Sequence, residues 1–155
     1  MSTDEGIDYD RSLLGVDHPT GTFQVTREII VKFARSTGET DPAYADEQSA
    51  AESEGGGLEA PPTFCNVFIS SAKRPDIKLN FGDMGFFAGQ AIECLVPVRP
   101  NDTLDGKTKL KEVYAKTGRS GKMVFAVWET SFTNQNGETV ALVQESFVQR
   151  NRRPS

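Results

Sequence analysis

Few residues in this chain can carry acid–base, nucleophilic or metal chemistry, and their placement narrows what that chemistry can be. Its single histidine, His18, lies in Val16-Asp17-His18-Pro19, ahead of the first strand-like segment, and is expected in a surface loop. An imidazole, with an unperturbed pKa of about 6.5, is the side chain best suited to exchange acid and base roles near neutral pH. No second histidine exists to take that role. Cys65 and Cys94 fall inside apolar stretches, far apart and without His or Cys at ligand spacing. Both are expected as buried free thiols, and no metal is implied. Gly55-Gly56-Gly57 is neither preceded by a strand nor followed by a lysine, so it reads as a loop and not as a phosphate cradle. Lys116, Arg119 and Lys122 gather at a hairpin tip, where cations ordinarily form a solvated turn.

Composition bounds the rest. The 155 residues fit one domain: a polar leader over 1–11, a domain over 12–150 and a basic tail over 151–155. With 37% hydrophobic and 25% charged residues the chain reads as an ordinary globular protein. No apolar run approaches the roughly 20 residues of a membrane span. The acidic, polar start, Met1 to Asp8, has neither the basic nor the apolar region of a secretory signal, so a cytoplasmic location is expected. A net charge of −5 argues against nucleic acid as a partner, and Arg150-Asn151-Arg152-Arg153 is too short to reverse it. The same charge does not forbid an anionic thioester carrier, because local Lys and Arg would hold its phosphates.

The elements that position these residues follow from periodicity. Gly21 to Thr26 alternates like a strand, and Thr26 is a plausible N-cap for a helix over Arg27 to Thr37, with Ile29, Ile30, Phe33 and Ala34 on one face and Gly38 as the stop. Asp46 can cap a second short helix to about Glu54. Ala60-Pro61-Pro62-Thr63 opens a third, which Pro75 ends, with Phe64, Val67, Phe68 and Ser71 along one side. Segments 87–98, 103–116, 121–134 and 138–150 are rich in Val, Thr, Phe and Tyr and separated by turn signals, as successive antiparallel strands would be. Helices followed by strands give an α+β class, most simply one antiparallel sheet wrapped around one long helix.

Three segments carry a resemblance. Phe33 to Asp46, with Gly38-Glu39-Thr40-Asp41-Pro42-Ala43-Tyr44 at its centre, resembles the hydratase motif of MaoC-type proteins, in which a Gly-Asp-x-Asn-Pro-(Ile/Val)-His run carries the catalytic pair. Gly57 to Phe64 resembles the start of that family's central helix in its FAS1-like N-terminal form. Gly89 to Glu93, followed by Pro97 to Leu104, is similar to the strand and turn after it. The resemblance covers roughly residues 12 to 150 and implies a hot-dog fold. It further implies an (R)-specific enoyl-thioester hydratase or 3-hydroxyacyl-thioester dehydratase, of fatty-acid or steroid side-chain metabolism, in which an Asp and a His hold and activate one water. It implies no separate cofactor, coenzyme A or an acyl carrier being part of the substrate.

The departures from that motif bear on function. Tyr44 stands in the histidine's place, and a phenol of pKa about 10 is a poor base at neutral pH. Glu39 stands in the aspartate's place, one methylene longer. A reacting group misplaced by about an ångström can lose on the order of a hundredfold in rate. The carried-over catalytic positions are therefore Glu39 and Tyr44, expected to be inactive, with Tyr44 filling the vacated site. Thr63, Phe64, Asn66 and Val67 on the third helix are the candidate acyl-binding positions. In this family the N-terminal-type domain often pairs with a second hot-dog domain that carries the intact pair, so the resemblance implies a second hot-dog subunit as partner, or a homodimer. The alternative left open is a self-sufficient thioesterase or hydratase using Glu39.

Overall fold

The computed structural model describes residues 4–51 and 57–152. Alternating apolar residues build five strands: β1 (His18–Gln24), β2 (Met84–Cys94), β3 (Thr103–Gly118), β4 (Gly121–Thr133) and β5 (Thr139–Arg150). They form one sheet in the order β1-β3-β4-β5-β2, with every neighbouring pair antiparallel. β2 and β1 are thus the two edges. The hairpin turns before β4 and β5 carry Gly121 and Gly137 at φ +96° and +77°, a region glycine enters without a Cβ clash.

Among the helices, α1 (Arg27–Ser36) is capped by Thr26, whose Oγ1 accepts from the Ile29 N–H at 3.2 Å. Ile30 and Ala34 bury the opposite side of that helix in the core. A separate helix, α2 (Pro42–Ala45), precedes α3 (Glu47–Ala51), where the sequence suggested one helix starting at Asp46. Asp41 and Pro42 explain the difference: the carboxylate accepts from the Ala43 N–H at 2.9 Å and proline occupies the first turn. The expected end near Glu54 and the glycines Gly55 and Gly56 lie outside the described residues, as do residues 1–3 of the leader and 153–155 of the tail.

The central helix is shorter than the sequence suggests, a 3-10 helix over Phe64–Ser71. Its Phe64, Cys65, Phe68 and Ile69 are buried on one face of the sheet against Leu104, Phe132, Val140 and Val143. Phe68 stacks on Phe23 with centroids 4.5 Å apart and tilts against Phe132 at 6.2 Å. A helix embraced by an antiparallel sheet is the hot-dog arrangement expected for this α+β chain. A second cluster fills the other end of the same face: Leu110, Val113, Val124, Ala126 and Trp128 against Ile7, Tyr9 and Ile77. The described part of the leader is therefore a piece of core. Asp4 accepts from the Tyr9 hydroxyl and from Arg11, which also stands over the Tyr9 ring at 4.8 Å.

Two expectations are corrected. His18 is not in a surface loop: it opens β1 opposite Thr108, half-buried, with Nε2 shielded from solvent and without a hydrogen-bond partner among the described residues. The strand begins three residues before the alternation from Gly21 shows, because a bulge between Pro19 and Gly21 breaks the period. Cys94 is exposed on the edge strand β2, whereas Cys65 is buried; both are free thiols.

Gly106 is where this face tolerates least. A Cβ there would run into the Thr20 hydroxyl and come within 3.3 Å of Phe23 and Phe132. Gly106→Ala is expected to destabilise by about 1–3 kcal/mol through overpacking. Gly89→Ala, whose Cβ meets nothing within 4 Å, should stay within about 0.5 kcal/mol of the parent. Equilibrium urea unfolding of the two variants checks this; equal midpoints would refute it.

Candidate functional site

The segment with the motif resemblance is held by short local contacts. After α1, Gly38 turns at φ +73° and the Glu39 N–H returns to the Ala34 carbonyl at 2.9 Å, closing the helix end. Asp41 caps α2, and the Tyr44 N–H donates to the Asp41 carbonyl at 3.1 Å. Two longer-range bonds fix this turn to the rest of the molecule. The Glu59 N–H donates to the Ala43 carbonyl at 2.9 Å, and the Ala60 N–H to the Val98 carbonyl at 2.7 Å. The turn, the approach to the central helix and the β2–β3 connection thereby meet at one place.

There Glu39 is exposed and Tyr44 is half-buried. The Tyr44 phenol is raised above its ordinary pKa, first by burial and then by the negative charges of Asp41, Glu59 and Glu39. It is a neutral hydrogen-bond donor at physiological pH and cannot act as a base there. Glu59 is paired with Arg99, Oε1 to Nη2 at 3.0 Å. Cys94 also bears on Tyr44, and its thiol is raised by partial burial and by Glu59. Burial pushes the Cys65 thiol up to about 12, so it is no nucleophile. The arrangement can hold and orient a polar group. No imidazole is among the groups that act on Tyr44.

The four helix positions separate into two faces. Phe64 belongs to the core, edge-on to Phe33 at 5.7 Å and to Phe68 at 5.6 Å. Thr63, Asn66 and Val67 are exposed on the other side. Asn66 Oδ1 accepts from Gln90 Nε2 at 2.9 Å, joining the helix to edge strand β2. Sequence reasoning missed Glu59 and Arg99, and also Arg74, which pairs with Glu145 and lies over the Trp128 and Phe147 rings at 6.0 and 5.2 Å. Glu145 left a trace: in Ala141, Val143, Glu145, Phe147 it is the one carboxylate among inward-facing positions. Among the described residues no group of three or more His, Cys, Asp or Glu could hold a metal ion.

The family described as FAS1-like, dehydratase domain region matches residues 12–143. The chain belongs to this family. It is a MaoC-like dehydratase relative with the hot-dog fold. A UPF0336 protein of Parafrankia sp. (strain EAN1pec) is 30% identical over 137 residues, covering 85% of this chain and 87% of that protein. The ChsH1-ChsH2 complex from Mycobacterium tuberculosis matches with a TM-score of 0.71 at 18% identity, over 91% of this chain and 86% of the matched chain. The C-terminally truncated HadBC (3R-hydroxyacyl-ACP dehydratase) complex from the same organism matches with a TM-score of 0.68 at 22% identity, over 90% and 98%. At these identities the two complexes share a fold with this MaoC-like chain, and the motif positions Glu39 and Tyr44 remain its own.

The electrostatics of Tyr44 can be checked directly. The ultraviolet difference titration between the parent and Tyr44→Phe should show that phenolate forming only above about pH 10, the ordinary tyrosine value. Adding Glu59→Gln to both proteins should lower its midpoint, because one of the negative charges that raise it is gone. Ionisation below pH 9 would show that the carboxylates do not govern this group.

Proposed function

We propose that this chain is the non-catalytic, acyl-binding subunit of a heteromeric (R)-specific enoyl-thioester hydratase or 3-hydroxyacyl-thioester dehydratase. The observation that carries the reading is the site itself: a half-buried tyrosine, kept neutral by burial and by three carboxylates, stands where the reaction needs an imidazole. In hydration a water oxygen bonds to C3 of the enoyl group while a proton reaches C2, which requires a base and an acid on one water. Here the partner subunit supplies both, and this chain supplies half of the walls.

The surface supports a partner on β2. That edge strand leaves unpaired backbone N–H and C=O groups on its outer side, a template for strand addition. Phe86 and Phe87 along it and Leu95 just after it are 46%, 52% and 47% exposed, and Val67 on the adjacent helix is 38% exposed. Large apolar side chains gathered on one edge mark an interaction surface. Asn66 and Gln90 lie within that same patch, so a subunit docked there would meet the exposed face of the central helix. ChsH1-ChsH2 and HadBC, which share the fold, are both complexes of two differently named chains.

The isolated chain is expected to hydrate crotonyl-CoA no faster than buffer, followed by loss of the enoyl absorbance. Turnover should appear on adding a hot-dog subunit with the intact Asp/His motif. Phe87→Lys on the edge strand should reduce recovery of the two chains as one complex by tenfold or more, about 1.4 kcal/mol or above. Activity of the chain alone that Glu39→Gln abolishes would instead make it a self-sufficient enzyme.

A further inference from the structure

β3 runs for 16 residues, but β1 pairs only with its first part, Thr103 to Thr108. Cover on that side ends at Leu110, which bridges to Leu14 and accepts from the Gly15 N–H at 2.9 Å. From Glu112 to Gly118, β3 pairs with β4 alone among the described residues. Its other side there presents backbone N–H and C=O groups without a strand partner. A shallow hollow of about 320 Å³ marks the gap, lined by Glu112, Tyr114, Ala115 and Lys116. Val113 and Ala126 point into the second core cluster, so Glu112, Tyr114, Lys116 and Phe125 face outward. That outer face is not polar next to the gap, as a solvated face would be. Tyr114 stands opposite Phe125, Phe125 opposite Val148 and Val148 opposite Phe86, an apolar row across four strands that ends at the open side of β3. Tyr114 and Phe125 stack with centroids 5.0 Å apart. Farther along the same strands the face carries Lys109, Glu129 and Gln144 instead.

We propose that this stretch of β3 pairs antiparallel with the same stretch of a second copy of the chain, about a two-fold axis at Tyr114. The charge order along the strand selects that occupant. Glu112 and Lys116 flank Tyr114 symmetrically, both exposed, and neither forms an ion pair among the described residues. The two-fold sets each Glu112 opposite the other copy's Lys116, two opposite-charge pairs from one self-complementary segment. The inward residues match as well, since Val113 falls opposite Ala115, apolar against apolar. Tyr114 meets its own copy, and the apolar row runs on from one sheet into the next. Moving the axis to Val113 or Ala115 sets Glu112 or Lys116 against Tyr114 and leaves the charges unmatched, so one register is preferred. Charges on an open edge ordinarily block pairing. Opposite signs placed symmetrically about one residue admit a second copy and disfavour an unrelated strand. The inference is independent of the acyl reading: β2 lies at the opposite edge of the sheet and stays open to its own partner. A short strand pair buries less than the ~1,200 Å² of a standard interface, so the association is a dissociating equilibrium.

Sedimentation of the full chain over a range of concentrations, at low and high salt, reads the association. The parent is expected to form a concentration-dependent pair that weakens as salt rises. Glu112→Lys and Lys116→Glu should each weaken it about tenfold, because either one turns two attractions into two repulsions. The chain carrying both substitutions should recover the parent's affinity, since the charge order is then reversed but still complementary. Phe87→Lys, directed at β2, should leave the association in place. A chain that stays monomeric at every concentration, single variants that match the parent, a double variant no stronger than the single ones, or association lost in Phe87→Lys would each overturn the proposal. Geometry supplies a check that does not need the charge variants to fold. Opposed residues of an antiparallel pair have Cα atoms ~4.5–5.5 Å apart, within reach of a disulfide. With the exposed thiol removed by Cys94→Ser, Tyr114→Cys should be joined to its own copy by a mild copper oxidant. Lys107→Cys, on the same strand but far from the axis, should not. Free thiols in the oxidised Tyr114→Cys chain, or equal crosslinking of both variants, would refute the pairing.

Discussion

A long strand pair that must be shielded along one whole face sets the rest of this structure. β4 is 13 residues long, which at ~3.4 Å per residue is about 44 Å. The central helix has eight residues, and at ~2.0 Å each a 3-10 helix of that length reaches about 16 Å. One helix cannot cover the sheet. The remaining length is closed by α1 beside the central helix at one end and, at the other, by the leader and the 77–81 segment. This is why Ile7 and Tyr9, from a stretch of otherwise polar residues, are 6% and 7% exposed. Their burial carries the Asp4 and Arg11 contacts with it.

Where the two covers meet, the face turns polar. Thr130 Oγ1 donates to Thr108 Oγ1 at 3.1 Å across β3 and β4, next to His18 on β1. One register step away, Glu145 and Arg74 pair over Trp128. A buried ion pair gives back only part of its desolvation cost, so this one contributes more to fixing the path of the chain after the central helix than to net stability. Arg74 follows that helix at its end, and its contacts with Trp128, Phe147 and Glu145 give the segment one way to lie on the sheet. Removing one partner would leave a charge without its counterpart, which is far more costly than replacing both.

The strands and α1 were legible in the sequence because their apolar residues recur at periods of 2 and 3.6 and their boundaries carry turn and capping residues. Thr26, Gly38 and the Asn134–Gly137 turn all act as their types suggest. The leader was not legible, because two apolar residues in a polar stretch have no period. His18 was obscured by a bulge that shifts the alternation by one residue. The length of the central helix was hidden because Pro61 and Pro75 bracket more residues than the 3-10 geometry uses. At the candidate site, the motif resemblance located Glu39 and Tyr44 but not their surroundings. Glu59 and Cys94 come from 15 and 50 residues further along, and the backbone bonds from Glu59 and Ala60, with the Glu59–Arg99 pair, bring those stretches together.

Those surroundings say more about what Tyr44 can do than its identity alone. Asp41, Glu59 and Glu39 all act on the same side chain. Negative charges in such a place favour a proton on whatever group stands there. A phenol answers by staying neutral. An imidazole would be drawn toward its cationic form, a better acid partner than base, so the electrostatics of this pocket would oppose a free base even with the family's residue in place. The Glu59–Arg99 pair fixes one of the carboxylates in place. A pocket of this kind suits a fixed hydrogen-bond donor, and under the proposed heteromer the proton transfers of a hydration step fall to the partner subunit.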